Sequence, residues 1–306
     1  MRLGTIRHEG GTSAALVTDN TAAPVRSLGG RENATDVRAL ITRPLSTGEQ
    51  AALRDHALPL EHVAWLPPLR PPKNVFCVGK NYLEHVKEGA KAEGLATAEP
   101  PTHPIWFSKA HTALTGHNHP IIADPTFTEQ LDYEGELAVV IGARAQRVSP
   151  DNALQCVYGY TIVNDVTARD IQQQRKQWFL GKSADTFAPC GPWIVTADEV
   201  PDPQSLAITS EVNGQLRQQG STKEMIFPVA TLISDLSQAI TLEPGDLIAT
   251  GTPQGVAWGM DTPEFLTPGD SVTVTIERIG ALTNIVATAP AVGYDRGPSV
   301  DHTSCA

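Results

Sequence analysis

The apolar positions of this chain fall mainly into short runs separated by glycine and proline, a pattern typical of β-strands joined by turns. Residues 131–141 end in an uninterrupted apolar stretch, so we predict a strand that enters the core. Side chains alternate along a strand, which puts Glu134 and Glu136 on one face and Gly135 on the other. Carboxylates at the mouth of a buried strand are costly unless neutralised, and a divalent cation is the simplest neutraliser. The alternative is a pair of solvated glutamates at a strand edge.

The first 70 residues predict a small α+β module, and the proline-rich residues 66–72 predict a stiff linker after it. The module would contain a hairpin around Glu9-Gly10-Gly11 and short helices at 35–40 and 46–55. We therefore divide the chain into an N-terminal module (1–70), a catalytic domain (71–290) and a disordered tail (291–306).

Residues 194–280 are mostly of β type, with an Asn-Gly turn at Asn213 that is a strong hairpin signal. The exception is 225–240, whose apolar residues recur with helical spacing. The fold class that these patterns predict is mainly β with α.

Composition excludes several kinds of partner. The 306 residues carry a formal net charge of −11, with no run of lysine or arginine, so neither nucleic acid nor an anionic membrane is an expected partner. An anionic substrate would need a locally positive pocket. The four cysteines form no C-x-x-C motif and indicate a reducing compartment. No apolar segment has the length of a signal core or a membrane span, so we expect a cytoplasmic protein.

Residues 74–88 predict a strand, a glycine turn and a helix on which His85 and Glu88 share a face. A carboxylate beside a histidine orients it and raises its basicity, as suits a general base. A surface His–Glu pair is the alternative. His117 and His119 lack further ligands at zinc spacing, so we predict a turn there.

Three further residues carry candidate chemistry. Asp165 stands where a strand stops being apolar, and it is either a third oxygen ligand or, like Asp170, an N-cap for a helix at 171–177. Lys182 lies in an apolar-flanked segment, where it faces an anionic group or is a solvated loop lysine. Thr252 belongs to a glycine-rich loop that offers backbone N–H groups and a hydroxyl to a carboxylate.

The ordered set of motifs resembles the fumarylacetoacetate hydrolase family, in its branch of acylpyruvases and hydroxyheptadienedioate isomerases. The resemblance covers about residues 74 to 285. The matching motifs are V-G-K-N-Y-x-x-H-x-x-E (78–88), Y-E-G-E-L (133–137), N-D-V-T-A-R-D (164–170) and G-K-S-x-D-T-F-x-P-x-G-P (181–192), followed by V-N-G, P-G-D and G-T-P-Q-G-V.

The resemblance implies a mixed β-sandwich or β-roll catalytic domain, commonly in a homodimer, with bound Mg²⁺ or Mn²⁺ and with Ca²⁺ as a possible substitute in crystals. An all-oxygen ligand set suits such a hard cation. By motif matching, the metal ligands are Glu134, Glu136 and Asp165, the catalytic residues are His85, Glu88 and Lys182, and the substrate-binding residues are Tyr82, Arg169, Gln172 and Thr252.

The expected function is metal-dependent hydrolysis of a C–C bond in a small anionic 2-oxo acid of the acylpyruvate or fumarylpyruvate type, which releases pyruvate through a metal-stabilised enolate. Decarboxylation or isomerisation of a 2-oxo or 2-hydroxymuconate-type diacid is the alternative. A non-catalytic, metal-stabilised binding protein is the alternative of another class.

Two segments stand apart from the matched motifs. Ala110 replaces the proline of the family's F-x-K-P motif, which we interpret as a relaxed turn. Residues 89–103 predict a mobile loop or a short helix that could close over the site and would set substrate choice.

Overall fold

Strands dominate the structure, a computed structural model that describes residues 1–289. The strands are β1 (Arg2–His8), β2 (Gly11–Val17), β3 (Thr21–Pro24), β4 (Leu58–Pro59), β5 (Ala64–Leu66), β6 (Val75–Gly79), β7 (Ile105–Lys109), β8 (Leu114–Thr115), β9 (Ile121–Ala123), β10 (Leu131–Asp132), β11 (Gly135–Ile141), β12 (Val157–Asn164), β13 (Thr167–Ala168), β14 (Ala188–Thr196), β15 (Ala207–Val212), β16 (Gln215–Ser221), β17 (Leu247–Ala249), β18 (Ser271–Ile276) and β19 (Gly280–Thr288). The α-helices are α1 (Arg38–Thr42), α2 (Thr47–Ala52), α3 (Leu83–Ala92), α4 (Pro150–Ala153), α5 (Arg169–Gln174), α6 (Phe179–Lys182) and α7 (Val229–Ala239).

A 12-stranded mixed sheet runs in the order β4-β3-β2-β1-β14-β12-β11-β17-β6-β7, with β5 paired to β1 and β8 to β14. A five-stranded sheet has the order β16-β15-β18-β19-β9, and β10 pairs with β13. Strand β11 lies inside the large sheet, between β12 and β17, and every one of its residues is buried.

Alternate side chains of β11 pack into two different hydrophobic clusters on opposite faces of the sheet. Leu137 and Val139 pack with α7 and the five-stranded sheet, whereas Ala138 and Val140 pack with residues of the first 70 positions such as Leu40. Burial on both faces explains why residues 137–141 read as a continuous apolar run rather than an alternating one.

The first 70 residues join the following part of the chain through the sheet. Strand β1 pairs with β14, with Leu3 opposite Ile194. The hairpin predicted around Glu9-Gly10-Gly11 is confirmed, because β1 and β2 pair from Arg2 to His8. The division at residue 70 stays a prediction, and the predicted tail, 291–306, lies outside the described residues.

Two predicted helices are shorter than expected. The helix predicted at 225–240 begins only at Val229, because Pro228 occupies its N-cap position and a proline lacks the N–H of a helix interior. The helix predicted at 171–177 is α5, which begins at Arg169 after Ala168 and ends at Gln174. Neither Asp165 nor Asp170 is therefore its N-cap residue.

The turn at Ala110 has the backbone shape that a proline would impose, and its relaxation stays a prediction. Ala110 has φ −56°, which is the value that a proline ring imposes. Its N–H, which a proline would lack, donates to the Ser183 hydroxyl at 3.0 Å. The chain thus keeps the backbone shape of the proline motif and gains one hydrogen bond.

The Ala110→Pro variant should therefore change the free energy of unfolding by no more than about 1 kcal/mol, because the entropic gain of proline offsets the lost hydrogen bond. Denaturant unfolding measures this. Ser183→Ala is the matched control, since it removes the same bond without stiffening the chain. A loss well above 2 kcal/mol in Ala110→Pro alone would contradict this account.

Candidate active site

Three buried carboxylates converge where β11 and β12 meet. Glu134 precedes β11, Glu136 lies in it, and Asp165 follows β12, while the register sets Gly135 opposite Asn164. One carboxylate oxygen from each of the three acids lies within 4.8 Å of the others. The Cβ position of Gly135 faces the five-stranded sheet instead, 2.4 Å from the Ser210 hydroxyl oxygen. The alternation predicted from sequence thus holds.

Three buried cations surround this carboxylate triad. Lys182 Nζ donates to Glu134 at 2.8 Å and to Asp165 at 2.7 Å. Lys109 Nζ donates to the other Asp165 oxygen at 2.5 Å, and Arg169 Nη1 lies 2.7 Å from Glu134. Asp165 is therefore held between two lysines.

Among residues 1–289, Glu136 is the carboxylate of this triad that has no cation partner. Its Oε2 accepts the backbone N–H of Gly251 at 2.8 Å. Burial, together with the negative charges of Asp165 and Glu134, raises the pKa of Glu136 well above its usual value. Burial alone would also raise the pKa of Glu134, but the charges of Lys182 and Arg169 outweigh it and hold that pKa low.

Charge counting shows that the site fits a divalent cation. The buried ion network has four carboxylates and three cations, so one negative charge remains uncompensated when all are ionised. Three convergent oxygens with no sulfur or nitrogen match the ligand preference of Mg²⁺ or Mn²⁺. The network comprises Asp132, Glu134, Glu136, Asp165, Lys109, Arg169 and Lys182.

The His85–Glu88 pair predicted on a helix lies on α3. His85 Nδ1 is 3.2 Å from Glu88 Oε2, and Glu88 Oε1 accepts the Gly255 N–H at 2.9 Å. A Cβ at Gly259 would lie 1.9 Å from the Glu88 Cγ, so this loop needs glycine to let the carboxylate approach. Both carboxylate oxygens are thus held, and Glu88 orients the imidazole.

A cavity of about 550 Å³ contains His85 and part of the triad. Its aromatic walls include Phe107, which packs edge-to-face on Trp178 at 5.4 Å, and Trp258, which lies 5.5 Å from the Arg169 guanidinium. Predicted site residues that line the cavity are His85, Glu134, Glu136, Arg169, Gln172, Lys182 and Thr252.

Arg169 presents an unused donor. Its Nε bonds Asp132 and its Nη1 bonds Gln172, but buried Nη2 has no hydrogen-bond partner among residues 1–289. An unmet buried donor is costly, which points to a ligand that accepts from it. Ala92 and Glu93 also line the cavity, at the start of the loop predicted to close over it, and that closure stays a prediction.

The Thr252 hydroxyl is already engaged. It donates to the Gly135 carbonyl at 3.0 Å and accepts from Gln218 Nε2 at 2.8 Å. Its proton is therefore not free for a substrate oxyanion in this arrangement. Through these two bonds Thr252 connects the glycine-rich loop to β11 and β16. Its role in substrate binding stays a prediction.

Tyr82 lies in the core beside Leu137 and Met225 and is not a lining residue of the cavity. Burial, followed by the charge of Glu136, raises the pKa of its phenol well above the usual value. The hydroxyl has no hydrogen-bond partner among the described residues. Its predicted contact with substrate remains untested.

Sequence reasoning assigned no role to three residues that build the site. Lys109 ends an apolar strand, a signal that could have drawn attention to it. Asp132 accepts from Arg169 and from the backbone N–H groups of Ala257 and Trp258. Gln218 gave no signal, because it lies in a polar strand whose Leu216 is exposed.

Comparison with known proteins places this site in a family. The chain matches the family described as fumarylacetoacetate (FAA) hydrolase C-terminal over residues 74–287, and it belongs to that family. Members of the family commonly bind a divalent metal. The resemblance and the fold class predicted from the sequence are thereby confirmed.

Relatives with different activities share this scaffold. Oxaloacetate tautomerase YisK of Bacillus subtilis is 48% identical over 215 residues, 70% of each chain. A fumarylacetoacetate hydrolase from Exiguobacterium antarcticum has a TM-score of 0.82 and 40% identity, covering 94% of this chain and all of its own. A 2-hydroxyhepta-2,4-diene-1,7-dioate isomerase from Mycobacterium marinum has a TM-score of 0.75 and 36% identity, covering 94% and 98%.

The helices within residues 1–289 include none that is both long and apolar enough to cross a bilayer. The histidines predicted to form a turn do so: His119 N–H bonds the Gly116 carbonyl at 3.2 Å, and His117 Nδ1 accepts from Thr283 N–H. Over the described residues, the group of side chains suited to a metal is the acidic triad.

Replacing Glu136 with glutamine should abolish stabilisation by Mg²⁺. In wild type, Mg²⁺ at 100 times its Kd should raise the free energy of unfolding by about 2.7 kcal/mol. Without metal, the variant should gain relative to wild type as pH rises above 4.5, because a group with a raised pKa contributes stability at low pH and loses it as it ionises. Thermal unfolding with Mg²⁺ or EDTA measures both effects.

The control for this variant is Glu129→Gln, an exposed change away from the site. It should keep the full response to Mg²⁺. Equal Mg²⁺ stabilisation in Glu136→Gln and wild type would rule out Glu136 as a ligand.

Replacing Thr252 with valine should lower the free energy of unfolding by about 1–3 kcal/mol, because it leaves the Gln218 amide and the Gly135 carbonyl without their bonds. Thr252→Ser keeps the hydroxyl and should retain most of the stability. Chemical denaturation compares the two variants. Full stability of Thr252→Val would contradict the bridging role of this hydroxyl.

Proposed function

We propose that this protein catalyses metal-dependent proton transfer at the carbon next to the carbonyl of a 2-oxo acid, as in keto–enol tautomerisation or isomerisation. The supporting observation is that the histidine of an oriented His–Glu pair lines the same cavity as two members of the carboxylate triad. When bound, the divalent cation would act as a Lewis acid that polarises the substrate's oxo group.

In the proposed reaction, His85 accepts and returns the proton. With its own proton on Nδ1, His85 donates to Glu88 and leaves Nε2 to accept a proton from the substrate carbon. The same nitrogen then returns the proton to another atom of the enolate. Glu88 stabilises the imidazolium that forms in between, and the Gly255 N–H keeps Glu88 in place.

Lys182 and Arg169 provide donors for the anionic end of the substrate. Two Lys182 N–H groups are used by carboxylates, so the third can face the cavity that this residue lines. Arg169 Nη2 has no hydrogen-bond partner in the part of the chain that the structure describes. A bound divalent cation would turn the network's single negative charge into a single positive one. That sign favours a carboxylate and a developing enolate.

The tautomerase at 48% identity and the isomerase of known structure support the proton-transfer form of the reaction. Hydrolysis of a C–C bond in a 2,4-dioxo acid, the function expected from the sequence, is the second candidate. The 550 Å³ cavity favours it, because this volume leaves room for a larger substrate than a four-carbon acid, together with water. In that reaction His85 would remove the proton from water instead of carbon.

A substrate panel with Mg²⁺ tests both candidates. Oxaloacetate, an acylpyruvate, fumarylpyruvate and a hydroxymuconate-type diacid are incubated with enzyme, and the products are identified by NMR. We expect tautomers or isomers, with His85→Gln reducing kcat by about 10²–10⁴-fold and Glu88→Gln by less. His111→Gln, an exposed histidine that is not a lining residue of the cavity, should leave kcat unchanged.

Each other outcome identifies a different function. Pyruvate plus a second acid would establish the hydrolase, and CO₂ would indicate a decarboxylase. No turnover of any compound, with Mg²⁺ binding intact, would favour the non-catalytic binding protein. A homodimer and Mg²⁺ or Mn²⁺ as the metal, both implied by the family resemblance, and a cytoplasmic location, expected from the sequence, complete the proposal as predictions.

A further inference from the structure

Two cations that line the cavity have no carboxylate partner. Arg169 and Lys182 form ion pairs in the buried ion network, and under the proposed function their remaining donors serve the 2-oxo acid end of the substrate; His85 is paired with Glu88. Lys80 and Arg175 also line the cavity, and neither forms an ion pair with a residue in the described part of the chain. These two side chains carry the positive charge that remains available to a second anionic group of a ligand.

The backbone of Lys80 is held in an unusual conformation. Its φ is +57°, in the left-handed region that a lysine rarely adopts. Asn81, on one side, is fully buried and its amide bonds Phe227 and Thr250. Gly79, on the other side, packs so closely on Trp178 that a Cβ would lie 2.4 Å from the ring. The turn is thus fixed from both sides, and such strain is concentrated at functional sites.

Arg175 has a looser setting. It follows the last residue of α5, is exposed, and shares the cavity wall with Gln173. Glu93 is the acidic residue in the same lining outside the triad, and it forms no ion pair with either cation within residues 1–289. The part of the lining outside the buried ion network therefore has an excess of positive charge.

We propose that Lys80, assisted by Arg175, binds the second carboxylate of a 2-oxo dicarboxylic acid. The proposal rests on the proposed function only in placing the 2-oxo acid end of the substrate at the carboxylate triad. The inner cations are occupied there, so a second carboxylate has to be neutralised elsewhere in the cavity. Lys80 is the stronger contributor because its backbone is fixed and its side chain is half-buried.

Binding of two ligands of equal length tests this. 2-Oxoglutarate and 2-oxovalerate both have five carbons and differ in whether the chain ends in a carboxylate or a methyl group. Calorimetry on the Mg²⁺-loaded protein should give a Kd for 2-oxoglutarate lower by roughly five- to tenfold. Lys80→Met should remove most of this preference and leave the Kd of 2-oxovalerate within about twofold. Arg175→Met should weaken the preference less.

Lys176→Met is the matched control, because it removes an exposed charge next to Arg175 that is not part of the cavity lining. It should not alter either Kd. Lys80→Asn is the second variant, since asparagine tolerates the left-handed backbone and keeps the test informative if Lys80→Met fails to fold.

Equal affinity of wild type for the two ligands, or equal weakening of both by Lys80→Met and Lys80→Asn, would overturn the proposal. The readout is binding, so it separates this proposal from the reaction. A preference lost in the Lys80 variants would support the carboxylate site even if no substrate were turned over. Turnover of oxaloacetate with an unchanged preference in those variants would refute the site and leave the proposed function standing.

Discussion

The excess of one buried negative charge is the constraint on which the rest of the site depends. Carboxylates are tolerated in a protein interior only when they are paired, and within the described part of the chain Glu136 has a backbone N–H in place of a cation. The metal-free network is therefore incomplete as a structural element. It would become complete, and slightly positive, with a divalent cation, which makes the same imbalance serve both metal binding and attraction of an anionic substrate.

The ion network is also connected to the proposed base. Arg169 links Glu134 to Asp132, and Asp132 accepts the backbone N–H groups of Ala257 and Trp258. The same loop begins with Gly255, whose N–H holds Glu88. Two sets of charge-assisted hydrogen bonds, joined by the backbone of residues 255–258, thus hold the histidine pair relative to the triad. This rigidity matters because proton transfer requires donor and acceptor within hydrogen-bond reach.

Local patterns in the sequence were sufficient to predict site residues where a single strand or helix sets their relative positions. Alternation along β11 placed Glu134 and Glu136 together, and helical spacing placed His85 beside Glu88. Local patterns were insufficient to predict site residues whose hydrogen-bond partners come from strands distant in sequence. Gln218 is buried only because β16 lies where its amide can reach Thr252 and Gly135, more than 30 and 80 residues away in sequence.

The Thr252 hydroxyl illustrates the same limit of sequence-based prediction, because its hydrogen bonds come from residues distant in sequence. A threonine in a glycine-rich loop predicts a free hydroxyl, but the long-range bond from Gln218 leaves it without a spare proton. Likewise, Tyr82 lies directly before α3 in the sequence, close to polar site residues. In the fold its side chain belongs to the core cluster that includes Leu137. Sequence motifs identify which residues meet, whereas tertiary pairing decides which of their atoms remain available.

The distinction between engaged and available side-chain atoms also explains how one scaffold can support a tautomerase, a hydrolase and an isomerase. Under the proposed function, the triad, its cations and the His–Glu pair would serve the formation or consumption of an enolate next to a carboxylate, a step that the three reactions can share. Their side chains are almost fully engaged with one another, so they have little freedom to distinguish substrates. Selection would then fall to lining residues outside that network, such as Lys80, Arg175 and Trp178.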